Sequence, residues 1–161
     1  MKTMNTLPWN DCLCRKDQTT AWLRPYTMDW NNPESDSLHL EYSYNGKDWY
    51  ALNGGNGIWY PDFGSKRLIH PAIYQLTDTS WIIAGTDGED PTLMHLVRTT
   101  DFIHYTGASC TGAIENIADA FSAIQSPSEN GGILVPVTIL EQLQKLFGKP
   151  EPVLLAATEA V

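Results

Sequence analysis

The sequence predicts a mainly β domain of short antiparallel strands, followed by one or two helices near its carboxyl end. The 161-residue chain contains 6 Trp and 7 Tyr, residue types that favour strands. Its 10 Pro and 12 Gly are scattered as turns and are not gathered into a linker. Alternating patterns before Gly107 give way to helical spacing after it. We therefore expect a single domain over residues 1–161, with strand-rich units at about 19–55 and 67–107 and a helical part at 113–150.

The clearest strand is the run LHLEYSY, residues 38–44. It alternates between apolar or aromatic residues on one face and His39, Glu41 and Ser43 on the other. The Asn-Gly pair that follows is a strong hairpin signal. It predicts a turn into the aromatic strand WYAL.

More strands follow residue 67. PAIYQL (71–76) and WIIAGT (81–86) are typical of two strands joined by the tight turn TDTS. The acidic loop DGEDP (87–91) leads to the strand TLMHLVRTT (92–100), and another strand follows the next turn.

The two strand-rich units align with each other at a constant offset of 56 residues. The aligned pairs are Leu40 with Leu96, Ser43 with Thr99, Asn45 with Asp101 and Trp49 with Tyr105. A further pair, Trp22 with Trp81, has an offset of 59 residues. Two such copies indicate radial repeats, and a four-stranded propeller blade is the unit of matching length. The alternative is two unrelated meanders whose residues match by chance.

Helical spacing begins after Gly107. In AIENIADAFSAI (113–124) the apolar residues form one stripe, which predicts an amphipathic helix that ends at Ser126-Pro127. ILVPV (133–137) predicts a short strand, and its proline places that strand at a sheet edge.

A second helix is predicted after this strand. Thr138 and Glu141 have the spacing of a capping box, and Gly148 is the expected C-cap. Leu140, Leu143 and Phe147 fall on one face, so we expect this helix to pack on the domain.

Charge and cysteine content exclude several classes of partner. A net charge of −9, from 19 acidic and 10 basic residues, disfavours nucleic acid and anionic membranes, which are bound by clustered Lys and Arg. The first residues contain no apolar run of a signal peptide or membrane span, so we expect a cytoplasmic protein. Cys12, Cys14 and Cys110 lack the spacing of a ligand cluster, so we expect reduced thiols, no metal and no cofactor.

Three stretches resemble glycoside hydrolase family 43 and its five-bladed β-propeller relatives. They are LHLEYSYNGKDWYALNGG (38–55), RLIHPAIYQLTDTSWIIAGT (67–86) and HLVRTTDFIHYTG (95–107). GGILVPVT (131–138) is similar to carboxyl-terminal segments of such proteins. The resemblance implies partial propeller-like blades with carboxyl-terminal helices, and hydrolysis of arabinose- or xylose-type oligosaccharides.

The sequence departs from that family in two ways. His70 stands where the family pattern Arg-x-x-Asp-Pro places an aspartate. Only about two blades are visible, whereas propellers close with about 4–8. Open blades leave exposed sheet edges, so either the helical part covers them or the chain forms a homo-oligomer. We expect the homo-oligomer.

The resemblance also implies candidate site residues. Inverting hydrolysis needs a carboxylic acid and a carboxylate about 6.5–9.5 Å apart. Asp29 is the candidate general base and His70 the second catalytic candidate, while the residues expected to bind the carbohydrate are Trp30, Trp59, Arg67, Asp87 and Glu89. No glutamate has the context of the family's acid. The alternative function is therefore a non-catalytic sugar-binding or oligomer-forming propeller fragment that has lost its catalytic acids.

Overall fold

The computed structural model describes residues 18–26, 37–62, 64–111 and 114–148. In this part of the chain, eight strands form two antiparallel four-stranded sheets, which confirms the mainly β class. The strands are β1 (Thr20–Tyr26), β2 (His39–Ser43), β3 (Tyr50–Ala51), β4 (Leu68–Thr77), β5 (Ser80–Asp87), β6 (Leu93–Thr99), β7 (Tyr105–Thr111) and β8 (Ile133–Pro136). The helices are α1 (Ile117–Ala120) and α2 (Val137–Phe147), and a short 3₁₀ turn spans Leu52–Gly55.

The two sheets have the same plan. The second sheet is the simple meander β4-β5-β6-β7. The first has the order β3-β2-β1-β8, so its β1, β2 and β3 form a meander and β8 returns from the far end of the chain to pair with β1. As its proline predicts, β8 lies at a sheet edge.

The core lies between the sheets. Leu23, Leu40 and Tyr42 of the first sheet and Trp81 and Val97 of the second are at most 1% exposed and belong to one apolar cluster. Full burial of one such side chain contributes roughly 1.5–3 kcal/mol. The apolar face predicted for β2 is therefore confirmed, but its polar face is also covered, since His39 and Ser43 are 0% exposed.

The aligned tryptophans and hydroxyl residues occupy the same positions in both sheets. Trp22 of β1 lies opposite Ser43 of β2, and Trp81 of β5 lies opposite Thr99 of β6. In the first sheet the Trp22 side faces outward, whereas in the second the Trp81 side faces the core. The face of the second sheet that meets the core therefore corresponds to the outward face of the first sheet.

The turns that follow these hydroxyl residues share their hydrogen bonds. Ser43 Oγ accepts from the Gly46 backbone at 2.8 Å, and Thr99 Oγ1 accepts from the Phe102 backbone at 2.8 Å. Gly46 and Phe102 both have a left-handed backbone, with φ of 78° and 59°. The two aligned hydroxyl groups therefore accept equivalent backbone hydrogen bonds, although Ser43 Oγ donates to Asn45 Oδ1 and Thr99 Oγ1 donates to His104 O.

The next residue of each turn also has the same role. Asn45 Oδ1 accepts from two backbone N–H groups at 2.9 Å, and Asp101 Oδ1 accepts from two at 2.8 Å. Burial alone would raise the pKa of Asp101, but its hydrogen bonds from His104 and Ile103 outweigh burial and lower that pKa to about 2.

The predicted helix over 113–124 is wrong in length. The α-helix covers only Ile117–Ala120, capped by the Asn116 side chain, and Ile124 of the predicted apolar stripe is 60% exposed. Tertiary pairing ends the helix, because Ile124 N donates to Gln75 O of β4 at 2.8 Å and Gln75 N donates to Gln125 O.

The second helix begins earlier than predicted. Its N-cap is Pro136, with no side-chain cap, so Thr138 lies inside α2 and the capping box is wrong. The Val137 N–H donates instead to Thr19 O at 2.9 Å, because β8 runs directly into the helix. The C-cap prediction is confirmed, since Gly148 has φ of 87° and its N–H donates to Gln144 O.

The carboxyl-terminal part covers much of the two sheets. Leu140 and Leu143 of α2 are fully buried, and the helix packs on β1, β8 and the 3₁₀ turn. Residues 114–125 cross the outer face of the second sheet, from Met94 of β6 to Gln75 of β4. No helix in the described ranges is long and apolar enough to cross a membrane.

Candidate functional site

A bulge in β4 brings His70 to the surface. Ile69 lies opposite Thr86 and Ala72 lies opposite Ala84, so His70 and Pro71 together face a single residue of β5. Proline cannot donate to the ladder, which favours a bulge at this point. His70 is exposed and has a left-handed backbone with φ of 51°, a conformation that non-glycine residues rarely adopt.

Arg67 is held just before this strand. Its carbonyl accepts a hydrogen bond from the Gly88 N–H at 2.8 Å. The Arg67 side chain lies against Gly88, where a Cβ atom would come within 2.5 Å of Arg67 Cβ. The loop after β5 therefore fixes Arg67 three residues from His70.

Asp87 is the anchor of that loop. Its Oδ1 accepts from Ser65 N at 2.9 Å and from His95 Nε2 at 2.7 Å. Its Oδ2 accepts from the backbone N–H groups of Glu89 and Asp90 at 3.1 and 2.9 Å. Both carboxylate oxygens are thus engaged by the protein.

The Asp87 and His95 side chains are both 0% exposed. Because a carboxylate only accepts hydrogen bonds, His95 Nε2 carries the proton. Burial would raise the pKa of Asp87, but the hydrogen bonds from Ser65, His95 and Glu89 outweigh burial and hold that pKa well below its ordinary value. Asp87 therefore stays ionised. Its role is structural, because it links the segment at Ser65, the loop after β5 and His95 of β6.

The candidate residues fall into three groups. Arg67, His70 and the exposed Glu89 lie at one end of the second sheet, above the buried Asp87. Trp59 lies elsewhere: it is half-buried and its ring packs on Tyr105 at 5.8 Å, at the end of the sheet remote from Asp87. Asp29 and Trp30 lie outside the described residues.

Sequence reasoning missed His95. The repeat alignment offers the signal that would have found it, because His39 and His95 are related by the same offset of 56 residues. Both are fully buried, and His39 Nδ1 lies 3.1 Å from Ser37 O. The two buried histidines are thus a further feature that the sheets share.

No protein-family model, curated protein or solved structure matches the chain. The described residues contain no group of three or more His, Cys, Asp or Glu side chains arranged to hold a metal ion.

Proposed function

We propose that this chain binds a neutral carbohydrate of the arabinose or xylose type at the start of β4, without hydrolysing it. His70 and Arg67 hydrogen-bond the sugar hydroxyls. The observation that carries this proposal is the exposed, left-handed His70 in a bulge. Bulges and unfavourable backbone conformations concentrate at functional positions.

The chemistry of these two side chains suits hydroxyl groups. A neutral imidazole offers one donor and one acceptor, and a guanidinium offers several donors in a fixed plane. The acidic loop DGEDP (87–91) lies beside these two side chains in a chain of net charge −9, so a neutral sugar is favoured over an anionic one at this site. The resemblance to family 43 supports a sugar in particular.

Two observations favour binding over hydrolysis. The family's aspartate is replaced by His70, which supplies no fixed negative charge. The nearby Asp87 is buried and all its acceptor sites are used, so it is not placed to activate water. A hydrolase would therefore depend on Asp29 and on a second acid that the sequence does not identify.

Calorimetric titration with xylotriose and arabinotriose tests the proposal. We expect the wild type to bind, and His70→Ala to lose about tenfold or more in affinity, since each hydrogen bond to the sugar contributes modestly and is lost with the ring. His104→Ala is the matched control, because His104 is also exposed but lies in the turn after β6. Absence of binding by the wild type would refute the proposal.

A parallel assay with aryl arabinofuranosides and aryl xylosides tests the hydrolase alternative. We expect no release of the aryl group. Release that disappears in Asp29→Ala would contradict our proposal and establish hydrolysis, since loss of a general base costs about 10²–10⁴-fold.

The homo-oligomer stays a prediction. The part of the chain that follows β7 pairs with the edge of β1 and lies on the outer face of the second sheet. It therefore covers sheet surface that a second copy of the chain would cover in an oligomer. Light scattering at micromolar concentration decides: a monomer of 18.0 kDa refutes the homo-oligomer, and a multiple of that mass supports it.

A further inference from the structure

The outer face of the second sheet contains a cavity of about 250 Å³ that the carbohydrate proposal does not use. It lies between strands β5 to β7 and the segment after β7, and its lining residues are Ile82, Leu96, Arg98, Thr106, Gly107 and Phe121. The lining is apolar except for one guanidinium and one hydroxyl.

The repeat explains why this face is apolar. Ile82 and Leu96 correspond to Leu23 and Leu40 of the first sheet, which are 0% exposed beneath the second sheet. The second sheet has no further sheet against this face among the described residues. The segment 114–125 covers part of it, so that Ile82 is only 1% exposed, and leaves the cavity beside Phe121.

Arg98 gives the cavity its chemistry. It corresponds to Tyr42, which is 1% exposed in the core between the sheets. The Arg98 side chain is exposed, and its guanidinium has no hydrogen-bond or ion-pair partner among the residues that the structure describes. Thr106 lies directly opposite Arg98 in the ladder, and both residues line the cavity, so it offers one hydroxyl as well as the guanidinium.

We propose that this cavity binds a small carboxylate with an apolar or aromatic body. The carboxylate pairs with the Arg98 guanidinium, whose planar fork matches two carboxylate oxygens, and accepts from the Thr106 hydroxyl. The apolar body lies on Ile82, Leu96 and Phe121. A protein partner is disfavoured because a stable interface involves about 20–30 residues on each side, whereas six residues line this cavity.

The probe is 3-phenylpropionate, with neutral 3-phenylpropionamide as the matched ligand, titrated into the ¹⁵N-labelled full chain and followed by NMR. We expect shift changes at the amides of Arg98, Thr106, Gly107 and Phe121. The amide ligand and the variant Arg98→Gln should each weaken binding about tenfold, the usual contribution of a hydrogen bond to a charged group. Arg98→Lys keeps the charge but loses the planar fork, so its affinity should fall between those of the wild type and Arg98→Gln. Thr106→Val should lose about threefold to fivefold.

Several outcomes would overturn the proposal. These are equal affinity for acid and amide, unchanged binding by Arg98→Gln with a native spectrum, or shift changes confined to other residues. A dispersed spectrum shows that a variant folds. If Arg98→Gln does not fold, Thr106→Val provides an independent test. His70→Ala should bind the carboxylate normally, so this proposal and the carbohydrate proposal fail separately.

Discussion

Replacing Asp87 by alanine removes an acceptor of four hydrogen bonds in a single substitution. Two of these come from the backbone of the loop after β5, one from Ser65 N and one from His95. Water cannot replace the carboxylate without rearrangement, because the Asp87 and His95 side chains are both 0% exposed. The imidazole would be left buried without the partner of its Nε2 proton.

The magnitude follows from these contacts. A hydrogen bond to a charged group contributes about 1.5–3 kcal/mol, and removing one partner of a buried pair costs about 3–5 kcal/mol. The four contacts share one carboxylate and do not add independently. We therefore expect Asp87→Ala to lower the free energy of unfolding by about 3–5 kcal/mol.

Urea unfolding followed by tryptophan fluorescence measures this loss. Glu89→Ala is the matched control: Glu89 is an exposed acid two residues away, and its change should stay within about 0.5 kcal/mol. The loss of unfolding free energy for Asp87→Asn should fall between the losses for Asp87→Ala and Glu89→Ala. One acceptor oxygen remains in this variant, but its amide NH₂ group faces backbone donors.

The pH dependence supplies a second check. The pKa of Asp87 is lowered on folding, so its contribution is fully present above the unfolded-state value of about 3.9 and is lost as the pH falls below it. The difference between wild type and Asp87→Ala should shrink in acid. A loss under about 1 kcal/mol at neutral pH, or a loss equal to that of Glu89→Ala, would refute the structural role.

Three further predictions follow from the turns and the bulge. Ser43→Ala and Thr99→Val should each lower the free energy of unfolding by about 1–2 kcal/mol in urea, and a large difference between them would contradict the equivalence of the turns. Asp101→Asn, which copies Asn45 of the first turn, should fold normally and flatten the loss of stability between about pH 4 and pH 2, because the folded-state pKa of Asp101 is about 2. His70→Gly should weaken sugar binding by about tenfold or more, as His70→Ala does, yet raise stability by up to about 1 kcal/mol, because glycine adopts φ of 51° without strain. Lower stability on urea unfolding would argue against a strained bulge.

Local sequence patterns predicted much of the fold. The strands β4, β5 and β6 follow from alternation and turn residues, and the repeated turn could be recognised because Ser43 and Thr99 each accept from the backbone N–H three residues later. These hydrogen bonds depend only on the spacing of residues along the chain, so the sequence pattern is enough to predict the turn.

Contacts between distant segments could not be predicted in this way. Residues 113–124 have a helical pattern, but pairing with Gln75 ends the helix after one turn. An acidic loop usually stays solvated, and nothing local distinguishes Asp87 from Glu89. The partner His95 lies on the next strand, and only the fold brings the two together.

The arrangement of the candidate residues could be predicted only in part. Arg67 and His70 are close in sequence, so their position at the same end of β4 follows from the chain itself, and their role in sugar binding stays a prediction. Trp59 was expected nearby because it is aromatic and close to a strand end, but it packs on Tyr105 at the remote end of the sheet.

The most direct test of the central claim is to map where xylotriose binds by titrating it into ¹⁵N-labelled protein. Our account predicts saturable shift changes at the amides of Arg67, His70 and Gly88, around the bulge, with none in the turn at 101–104. Shift changes confined to other residues, or no change at saturating sugar, would contradict it.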